Sequence, residues 1–433
     1  MDAGTVFLIM FSSLLLLILL RIPVSFALAF AVIPILLFTP RVTPIMLLQR
    51  MMIQFGSFIL LAIPFFILAA NIMNAAGITN QLMKFSQSLV GFLPGGLGHI
   101  NVLVSMIFAG ISGSSNADAA GIGSVIIPAM VKEGYDKNFT VAVTACSAVM
   151  GVIIPPSITM VVWGGVMNVS VAGMFLGGII PGILIGLGQM AVVYVYAIKR
   201  NYPRADSFSF FFFLKTFKES VLALLSPVII VGGIVFGWVT PTEASLIAVF
   251  YSMFVGMVIY RSVSVRAFAG LLYDAIKLSS VVLFAVGTAA IYAWVLSYYK
   301  VPNYLVTQMA SMTTSPTVML LLIICVFLIA GMFIDSVPAI IIFAPLLRPL
   351  ADSVGIPPIQ FAVVGCVTLA YGLITPPYGL CLLITSEIAK INCMEPMREV
   401  AVFLLEMLAV LLLMVFFPSV TQALPRLFMP TLF

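Results

Sequence analysis

Long apolar runs recur along the whole chain and constrain its fold more than any other feature. A helix needs about 20 residues, at a rise of about 1.5 Å each, to cross a hydrocarbon layer roughly 30 Å thick. Runs of this kind cover residues 4–20, 22–38, 55–73, 171–198, 221–239, 246–260, 281–296, 317–333 and 400–417. Of the 433 residues, 63% are hydrophobic and only 8% are charged, which a water-soluble globule could not accommodate. We therefore predict an all-α polytopic membrane protein with about ten to twelve spans or part-spans.

The sequence lacks the signals of several other classes of protein. No Lys or Arg precedes Arg21, so we expect the first apolar run to remain as a helix rather than to be cleaved as a signal peptide. Five scattered cysteines and a single histidine, His99, predict neither a disulfide framework nor a metal centre. No phosphate-binding loop of the GxxxxGKS type occurs, so any energy must come from an ion gradient or another subunit.

Basic residues gather near the middle of the chain, between two apolar blocks. By the positive-inside rule this connection is predicted to be cytoplasmic. The net charge is +5, but the basic residues form no continuous stripe, so we expect no nucleic-acid partner. The residues are Lys199, Arg200, Arg204, Lys215 and Lys218.

Two stretches have the apolar spacing of helices that lie along the headgroup layer. One contains Ile78, Leu82, Phe85 and Leu89, and the other contains Val265, Phe268, Leu272 and Ile276. One such stretch in each half prompts a search for an internal repeat.

An ungapped repeat relates residues 109–156 to residues 330–377, with an offset of 331 − 110 = 221. Most matches are glycine or proline, which control backbone shape, so the repeated feature is a pattern of helix breaks. Such repeats are typical of transporters, in which the two halves have inverted topology. The predicted division is a first half at 1–200, the basic connection at 201–220 and a second half at 221–433. The matched pairs are Ala109/Ala330, Gly110/Gly331, Ser115/Ser336, Pro128/Pro349, Gly134/Gly355, Val143/Val364, Gly151/Gly372, Ile153/Ile374, Pro155/Pro376 and Pro156/Pro377.

Each half contains a polar segment between two short apolar ones, at residues 112–118 and 335–338. The flanking segments in the first half, 99–111 and 119–131, are too short for each to cross a membrane. Non-helical backbone at membrane depth requires burial in protein or contact with a water-filled cavity. We therefore predict two re-entrant helical hairpins with polar tips.

Each half also contains a double proline in an apolar helix, within residues 151–157 and 372–378. Proline lacks the backbone donor and clashes with the carbonyl one turn earlier, so carbonyls are freed. Sodium suits these carbonyls together with the hydroxyls of the tips. Two alternatives stay open. The Gly and Pro residues could do no more than kink packed helices. Asp118 or Asp335 could serve simply as a helix cap at a hydrated tip, although a carboxylate in an apolar segment is usually functional.

These residues resemble the large membrane subunit, of the DctM type, of tripartite ATP-independent periplasmic (TRAP) transporters. The resemblance covers almost the whole chain, through residues 61–69, 73–79, 109–118, 128–130, 134–135, 153–158 and 372–379. It implies a multi-pass protein of the bacterial inner membrane in which a mobile part moves, as an elevator, against a scaffold and is driven by sodium. It also implies two partners: a periplasmic substrate-binding protein that delivers an organic anion, and a small membrane subunit. Because the chain starts directly with the large-subunit region, we expect that subunit to be a separate polypeptide.

The resemblance implies two sodium sites, each at one tip and one break. In the second half, Phe333 and Val337 stand at the positions of Ser112 and Asn116, so that site is expected to rely more on backbone carbonyls. The first site would contain Ser112, Ser114, Ser115, Asn116, Gly151, Ile154 and Pro155, and the second Gly331, Asp335, Ser336, Gly372 and Thr375.

The substrate is expected between the two tips, where the N-termini of half-helices favour an anion. No arginine occurs in either tip or break, so backbone dipoles, hydroxyls and sodium would recognise it. The anion could be a carboxylate, a sugar acid such as sialic acid, or a sulfonate. The expected residues are Asn116, Asp118, Pro156, Ser157, Pro377 and Tyr378.

Three other functions compete with this interpretation. A divalent anion/sodium symporter with a similar hairpin architecture would need no binding protein. An intramembrane serine hydrolase would use Ser112 or Ser114 with His99, but the segment lacks the closing glycine of a nucleophile elbow. A channel is disfavoured because broken helices suit an occluded binding site better than a continuous pore.

Overall fold

The computed structural model describes residues 2–20, 22–38, 42–204, 207–310 and 313–430, and within these ranges the regular structure is helical, with no strand. The first half contains α1 (Ala3–Leu19), α2 (Val24–Phe30), α3 (Ile33–Phe38), α4 (Pro44–Phe55), α5 (Ala62–Ala75), α6 (Ile78–Val90), α7 (Gly96–Ser112), α8 (Ser115–Lys132), α9 (Lys137–Ala148), α10 (Ile158–Met167) and α11 (Val171–Arg200). The second contains α12 (Phe210–Val235), α13 (Pro241–Met253), α14 (Val265–Tyr298), α15 (Val301–Ala310), α16 (Pro316–Phe333), α17 (Ser336–Ser353), α18 (Pro358–Gly372), α19 (Leu380–Ala389), α20 (Met397–Phe416) and α21 (Ser419–Phe428).

Within the described ranges, eight helical segments are long and apolar enough to cross a membrane. The most apolar is α16, whose mean hydropathy is 2.7. Shorter apolar helices of 10–17 residues accompany them, among them α7, α10, α18 and α19. The prediction of an all-α polytopic membrane protein is confirmed.

Two helical hairpins occupy the predicted positions, α7–α8 in the first half and α16–α17 in the second. Their helices have 17 or 18 residues and are longer than the short segments read from the sequence. The length of these helices therefore does not show that they cross only half of the membrane. That the hairpins are re-entrant stays a prediction. Each hairpin is followed by a helix that is interrupted at the double proline, which separates α9 from α10 and α18 from α19.

The halves interlock through the helices that follow the breaks. Helix α10 packs against α17 of the second hairpin, and α19 packs against α8 of the first. Trp163 of α10 lies 5.8 Å from Phe327 of α16 and 5.2 Å from Phe361 of α18, measured between ring centroids. These contacts bring the two hairpin tips to one place.

The predicted interfacial helix at residues 265–277 is wrong as a separate element. These residues form the first part of α14, one continuous helix of 34 residues, because no proline or turn interrupts the sequence before Tyr298. Helix α6 was predicted correctly as a helix. When the repeat offset is added to the bounds of α6, 78 + 221 = 299 and 90 + 221 = 311. The helix of the second half that corresponds to α6 is therefore α15 and not the start of α14.

The basic connection is mostly helical. Helix α11 ends at Arg200 and α12 begins at Phe210, so Lys215 and Lys218 lie in α12, and the predicted boundary at residue 220 also falls inside that helix. Residues 205 and 206 lie outside the described residues. The Arg200 guanidinium lies 2.8 Å from Glu399 of α20 and 3.4 Å from Asp136, which precedes α9.

Candidate functional site

The first hairpin tip is held by the first helix break. Gly113, whose φ of 62° is left-handed, caps the carboxyl end of α7, and the Ser114 side chain caps α8 by accepting from the Ala117 amide. The Gly113 carbonyl accepts from the Ile158 amide at 3.2 Å. A Cβ at residue 113 would lie 2.7 Å from the Pro156 carbonyl oxygen. Both the backbone conformation and this close approach require glycine.

The second tip is joined to its break in a similar way. The Met332 carbonyl accepts from the Tyr378 amide at 3.0 Å, and Asp335 caps α17 by accepting from the Ser336 amide at 2.7 Å. Gly331 and Gly372 face each other so closely that a Cβ at residue 372 would lie 2.4 Å from the Gly331 carbonyl carbon. Both double prolines contain a cis peptide bond, Pro155–Pro156 and Pro376–Pro377.

The structure brings several residues of the predicted first sodium site together and adds Asp118 to them. A Cβ at Gly151 would lie 2.6 Å from Asp118 Oδ2 and 2.8 Å from the Ser115 amide nitrogen. The Ser112 hydroxyl donates to Asp118 Oδ1. Asp118 was predicted to contact substrate, but it is completely buried behind the tip, in the cluster formed by Ser112, Ser115 and Gly151.

Some of the carbonyls near the helix breaks accept hydrogen bonds from side-chain hydroxyls of the same chain. The Val152 carbonyl accepts from the hydroxyls of Ser157 at 2.7 Å and Thr159 at 3.2 Å. In the second half, the Tyr371 carbonyl accepts from the Thr375 hydroxyl at 2.8 Å. Ser157, predicted as a substrate residue, is fully buried in this local network. The Ile154 side chain faces α11, because a Cβ at Gly182 of that helix would lie 2.4 Å from it. Ile154 could therefore bind an ion only through its backbone carbonyl.

At the hairpin tips, the buried hydroxyls of Ser115 and Ser336 have no hydrogen-bond partner among the described residues. These serines are the first residues of α8 and α17, and they are equivalent in the repeat because 336 − 115 = 221. Asp118 Oδ2 also lacks a partner within the described part of the chain. Buried polar atoms without partners are rare in native proteins and call for an explanation such as a bound ion.

A small cavity of about 90 Å³ lies between the two tips. Its volume is well below the roughly 300 Å³ at which ordinary ligand pockets begin. Of the predicted substrate residues, only Asn116 lines it, while Pro377 and Tyr378 line a separate cavity of about 340 Å³. The lining residues are Ile67 of α5; Gly113, Ser114, Ser115, Asn116, Val152, Ile158 and Thr159 of the first half; Leu278 and Val282 of α14; and Asp335, Ser336, Val337 and Leu373 of the second half.

Sequence reasoning missed Thr159 and Cys381. Thr159 lines the cavity, and its position shortly after the double proline, where a hydroxyl can reach a freed carbonyl, could have identified it. The Cys381 thiol lies 3.6 Å from Asn116 Oδ1. This contact joins α19 of one half to α8 of the other, and no pattern in the sequence indicates it.

The helix ends around the cavity suit ligands of both charges. The carboxyl ends of α7 and α16 present carbonyl oxygens to each tip, which favours a cation. The amino ends of α8 and α17 begin at the same tips and favour an anion. The arrangement can therefore hold cations at the tips and an anion between them.

The geometry does not support a serine hydrolase. His99 and Ser112 lie at opposite ends of α7, which places them about 20 Å apart along an axis that rises about 1.5 Å per residue. The Ser112 hydroxyl bonds to Asp118 instead. A histidine must reach its nucleophile to act as a base.

Comparison with known proteins identifies a single family. Residues 11–420 match the family described as "Tripartite ATP-independent periplasmic transporter, DctM component". The sialic acid TRAP transporter large permease protein SiaM of Vibrio cholerae is 37% identical over 410 residues, which cover 94% of this chain and 95% of that protein. The C4-dicarboxylate TRAP transporter large permease protein DctM of the same organism is 37% identical, covering 86% of this chain and 87% of its own length.

A third relative, the isethionate TRAP transporter permease protein DctMQ of Oleidesulfovibrio alaskensis, is 37% identical over 84% of this chain but only 58% of its own length. The relatives are named as transporter permeases, so this chain is a transport protein and not an enzyme. With eight candidate spans in its described ranges, it is a multi-pass protein of the bacterial inner membrane. The chain belongs to the DctM component family of tripartite ATP-independent periplasmic transporters.

Proposed function

We propose that this chain is the large membrane subunit of a system that takes up a small organic anion together with sodium. The observation that carries the proposal is the equivalent placement of Ser115 and Ser336, two buried hydroxyls without a partner in the described part of the chain, at the tips of the two hairpins. Each lies beside a helix break and a carbonyl-rich helix end. Sodium prefers several oxygen ligands, and broken helices provide them in many transporters.

The first sodium site is proposed at Ser112, Ser114, Ser115, Asn116, Gly151, Ile154 and Pro155, with Asp118 added because its free oxygen faces Gly151. The second is proposed at Gly331, Asp335, Ser336, Gly372 and Thr375. Because Gly331 and Gly372 lie in close contact, backbone carbonyls would be the main sodium ligands at this site. The apolar residues Phe333 and Val337, at the positions of Ser112 and Asn116, support the same assignment.

The anion is proposed to bind between the tips, with Asn116 as the side chain that is best placed. The names of three relatives specify sialic acid, a C4-dicarboxylate and isethionate, all organic anions. A cavity of about 90 Å³ is too small for a sugar acid, so the site must open. Ile67 of α5 and Leu278 of α14 close it from outside the hairpins, which fits an elevator in which the hairpins move past these two helices.

Two partners are proposed: a periplasmic binding protein that delivers the anion, and a small membrane subunit encoded as a separate polypeptide. The family description as a tripartite periplasmic transporter supports both. The chain covers 95% of a relative named as a large permease protein and 58% of the longer permease DctMQ.

Uptake into proteoliposomes tests the proposal. The chain is reconstituted with the small subunit, and the binding protein loaded with labelled anion is added outside the vesicles. Uptake is then measured under a sodium gradient, under a proton gradient and with no gradient. Uptake that requires sodium and the binding protein is expected. Full uptake by the chain alone would favour the stand-alone symporter, and uptake driven by protons in sodium-free medium would refute sodium coupling.

A further inference from the structure

Another carboxylate whose oxygens have no partner among the described residues lies away from both tips, at Glu406 in the middle of α20. It is the tenth of the twenty residues of this helix, so in a membrane-spanning helix it lies near mid-depth. Both carboxylate oxygens are buried, and neither has a hydrogen-bond partner among the described residues. An ionisable group at such depth is costly unless a partner neutralises it, and it usually marks a functional site.

The neighbouring helix α11 makes room for this carboxylate. A Cβ at Gly188 would lie only 1.9 Å from Glu406 Oε1, so the carboxylate occupies the space that a side chain would fill. The next residue, Gln189, donates its amide to the Cys146 carbonyl at 2.9 Å. Its own oxygen is then buried without a partner in the described part of the chain. Within the described ranges, this part of the bundle therefore contains three buried acceptor oxygens that receive no hydrogen bond.

No cationic side chain of the described residues faces Glu406 from the helices packed around it. The titratable groups that interact with it electrostatically are the Cys146 thiol of α9 and the Tyr371 hydroxyl of α18. The Tyr371 hydroxyl donates elsewhere, to the Met407 carbonyl at 2.7 Å. Helix α16 contributes only Cys325, which is exposed.

Arginines lie towards the two ends of α20, among them Arg398 in its first turn. Arg200 of α11 pairs with Glu399, two turns before Glu406. Arg426 of α21 bonds to Gln422 at 2.7 Å, and Gln422 is linked through Gln360 to the Met414 carbonyl, two turns after Glu406.

We propose that Glu406 binds a small monovalent cation, a proton or a sodium ion, at a site separate from the hairpin tips. The two carboxylate oxygens have almost no exposed surface, which favours a small cation over a side chain of another protein. An acceptor-only cluster in a low-dielectric interior needs positive charge. A proton would form an O–H bond on one carboxylate oxygen, whereas sodium would be held by the carboxylate and the Gln189 oxygen. The inference rests on the packing of α20 and not on the assignment of the tip sites.

The test compares the purified full-length chain with Glu406→Gln, which keeps the size of the side chain. Infrared spectra over a range of pH report a protonated carboxyl group, and equilibrium binding of radioactive sodium counts the ions bound to each chain. Gly188→Ala places a methyl group on the carboxylate and should displace it. Matched controls are Glu133→Gln, which removes an exposed carboxylate, and Gly270→Ala, whose Cβ would meet nothing within 4 Å.

If the cation is a proton, the wild-type spectrum should contain a protonated carboxyl band that Glu406→Gln lacks and that disappears at alkaline pH. If it is sodium, Glu406→Gln should bind one fewer ion per chain. Gly188→Ala should behave like Glu406→Gln in either case, and both controls like the wild type. The proposal is overturned if Glu406→Gln keeps every bound sodium and every carboxyl band. That result would leave the tip sites standing if their own variants still lose sodium.

Discussion

Gly151 lies against Asp118 so closely that a Cβ on the glycine would come within 2.6 Å of Asp118 Oδ2. The contact joins the first helix break to the first hairpin in the space where the Ser115 amide also lies, 2.8 Å from the same Cβ position. A backbone without a side chain thus allows the Asp118 carboxylate and the backbone of the hairpin tip to approach one point. The sodium dependence of transport should be sensitive to Gly151 and to Asp118.

Gly151→Ala should raise the sodium concentration for half-maximal uptake roughly tenfold, which corresponds to about 1.4 kcal/mol. The methyl group cannot be accommodated without moving Asp118 or the tip backbone. Gly121→Ala is the matched control, because its Cβ would make only an ordinary contact with Asn74 at 3.5 Å. Uptake is measured against sodium at saturating anion. Equal sodium dependence in both variants would remove Gly151 from the site.

Asp118→Asn separates two roles for this residue. If the carboxylate neutralises sodium, its loss should raise the half-maximal sodium concentration about tenfold or more, since interactions with charged groups contribute about 1.5–3 kcal/mol. The KM for the anion at saturating sodium should then change little. The opposite pattern, a changed KM with the parent sodium dependence, would return Asp118 to the substrate site.

The sequence predicted the features that depend on local backbone chemistry. The hairpins and breaks follow from Gly113, Gly151 and the double prolines, because these residues limit the backbone wherever they stand. The same reasoning failed for residues 265–277, since an apolar stripe looks alike on an interfacial helix and at the start of a long spanning one.

The position of Asp118 could not be predicted for a different reason. Four residues of α8 cover a full helical turn, so Asn116 and Asp118 point in different directions. Asn116 reaches the cavity, while Asp118 is buried behind the tip. Only the packing of the tip on the first break decides which of them faces the cavity.

Ser115→Ala and Ser336→Ala should each raise the sodium requirement about fivefold, as the loss of one neutral oxygen ligand costs about 1 kcal/mol. Both hydroxyls are buried without a partner in the described residues, so no other bond is lost. Ser124→Ala serves as the control because its hydroxyl is exposed and bonds to the Gly121 carbonyl at 2.9 Å. A change in only one of the two serine variants would limit the proposal to one sodium site.

Uptake should increase with inside-negative membrane potential if more sodium enters per cycle than anionic charge. Each net positive charge gains about 2.3 kcal/mol per 100 mV, which allows up to roughly fiftyfold greater accumulation at equilibrium. Potassium gradients with valinomycin set the potential in proteoliposomes. An accumulation ratio that does not respond to the potential would indicate an electroneutral cycle.

Single cysteines at the ends of the two hairpins should react from opposite sides of the membrane. The tips themselves are unsuitable, because a side chain at Gly113 would collide with the Pro156 carbonyl oxygen. Glu133 follows α8 and Ser353 ends α17, and both are exposed. They are nearly equivalent in the repeat, since 133 + 221 = 354.

Glu133→Cys and Ser353→Cys are made in a background in which Cys325 and Cys393, the two cysteines that are not buried, are replaced by serine. An impermeant maleimide is applied to intact cells and to inverted vesicles. Inverted halves require that one cysteine reacts only in cells and the other only in vesicles, because the same end of each hairpin then faces opposite compartments. Labelling of both from the same side would contradict the inverted repeat, even though α7–α8 and α16–α17 have the same order of helices and breaks.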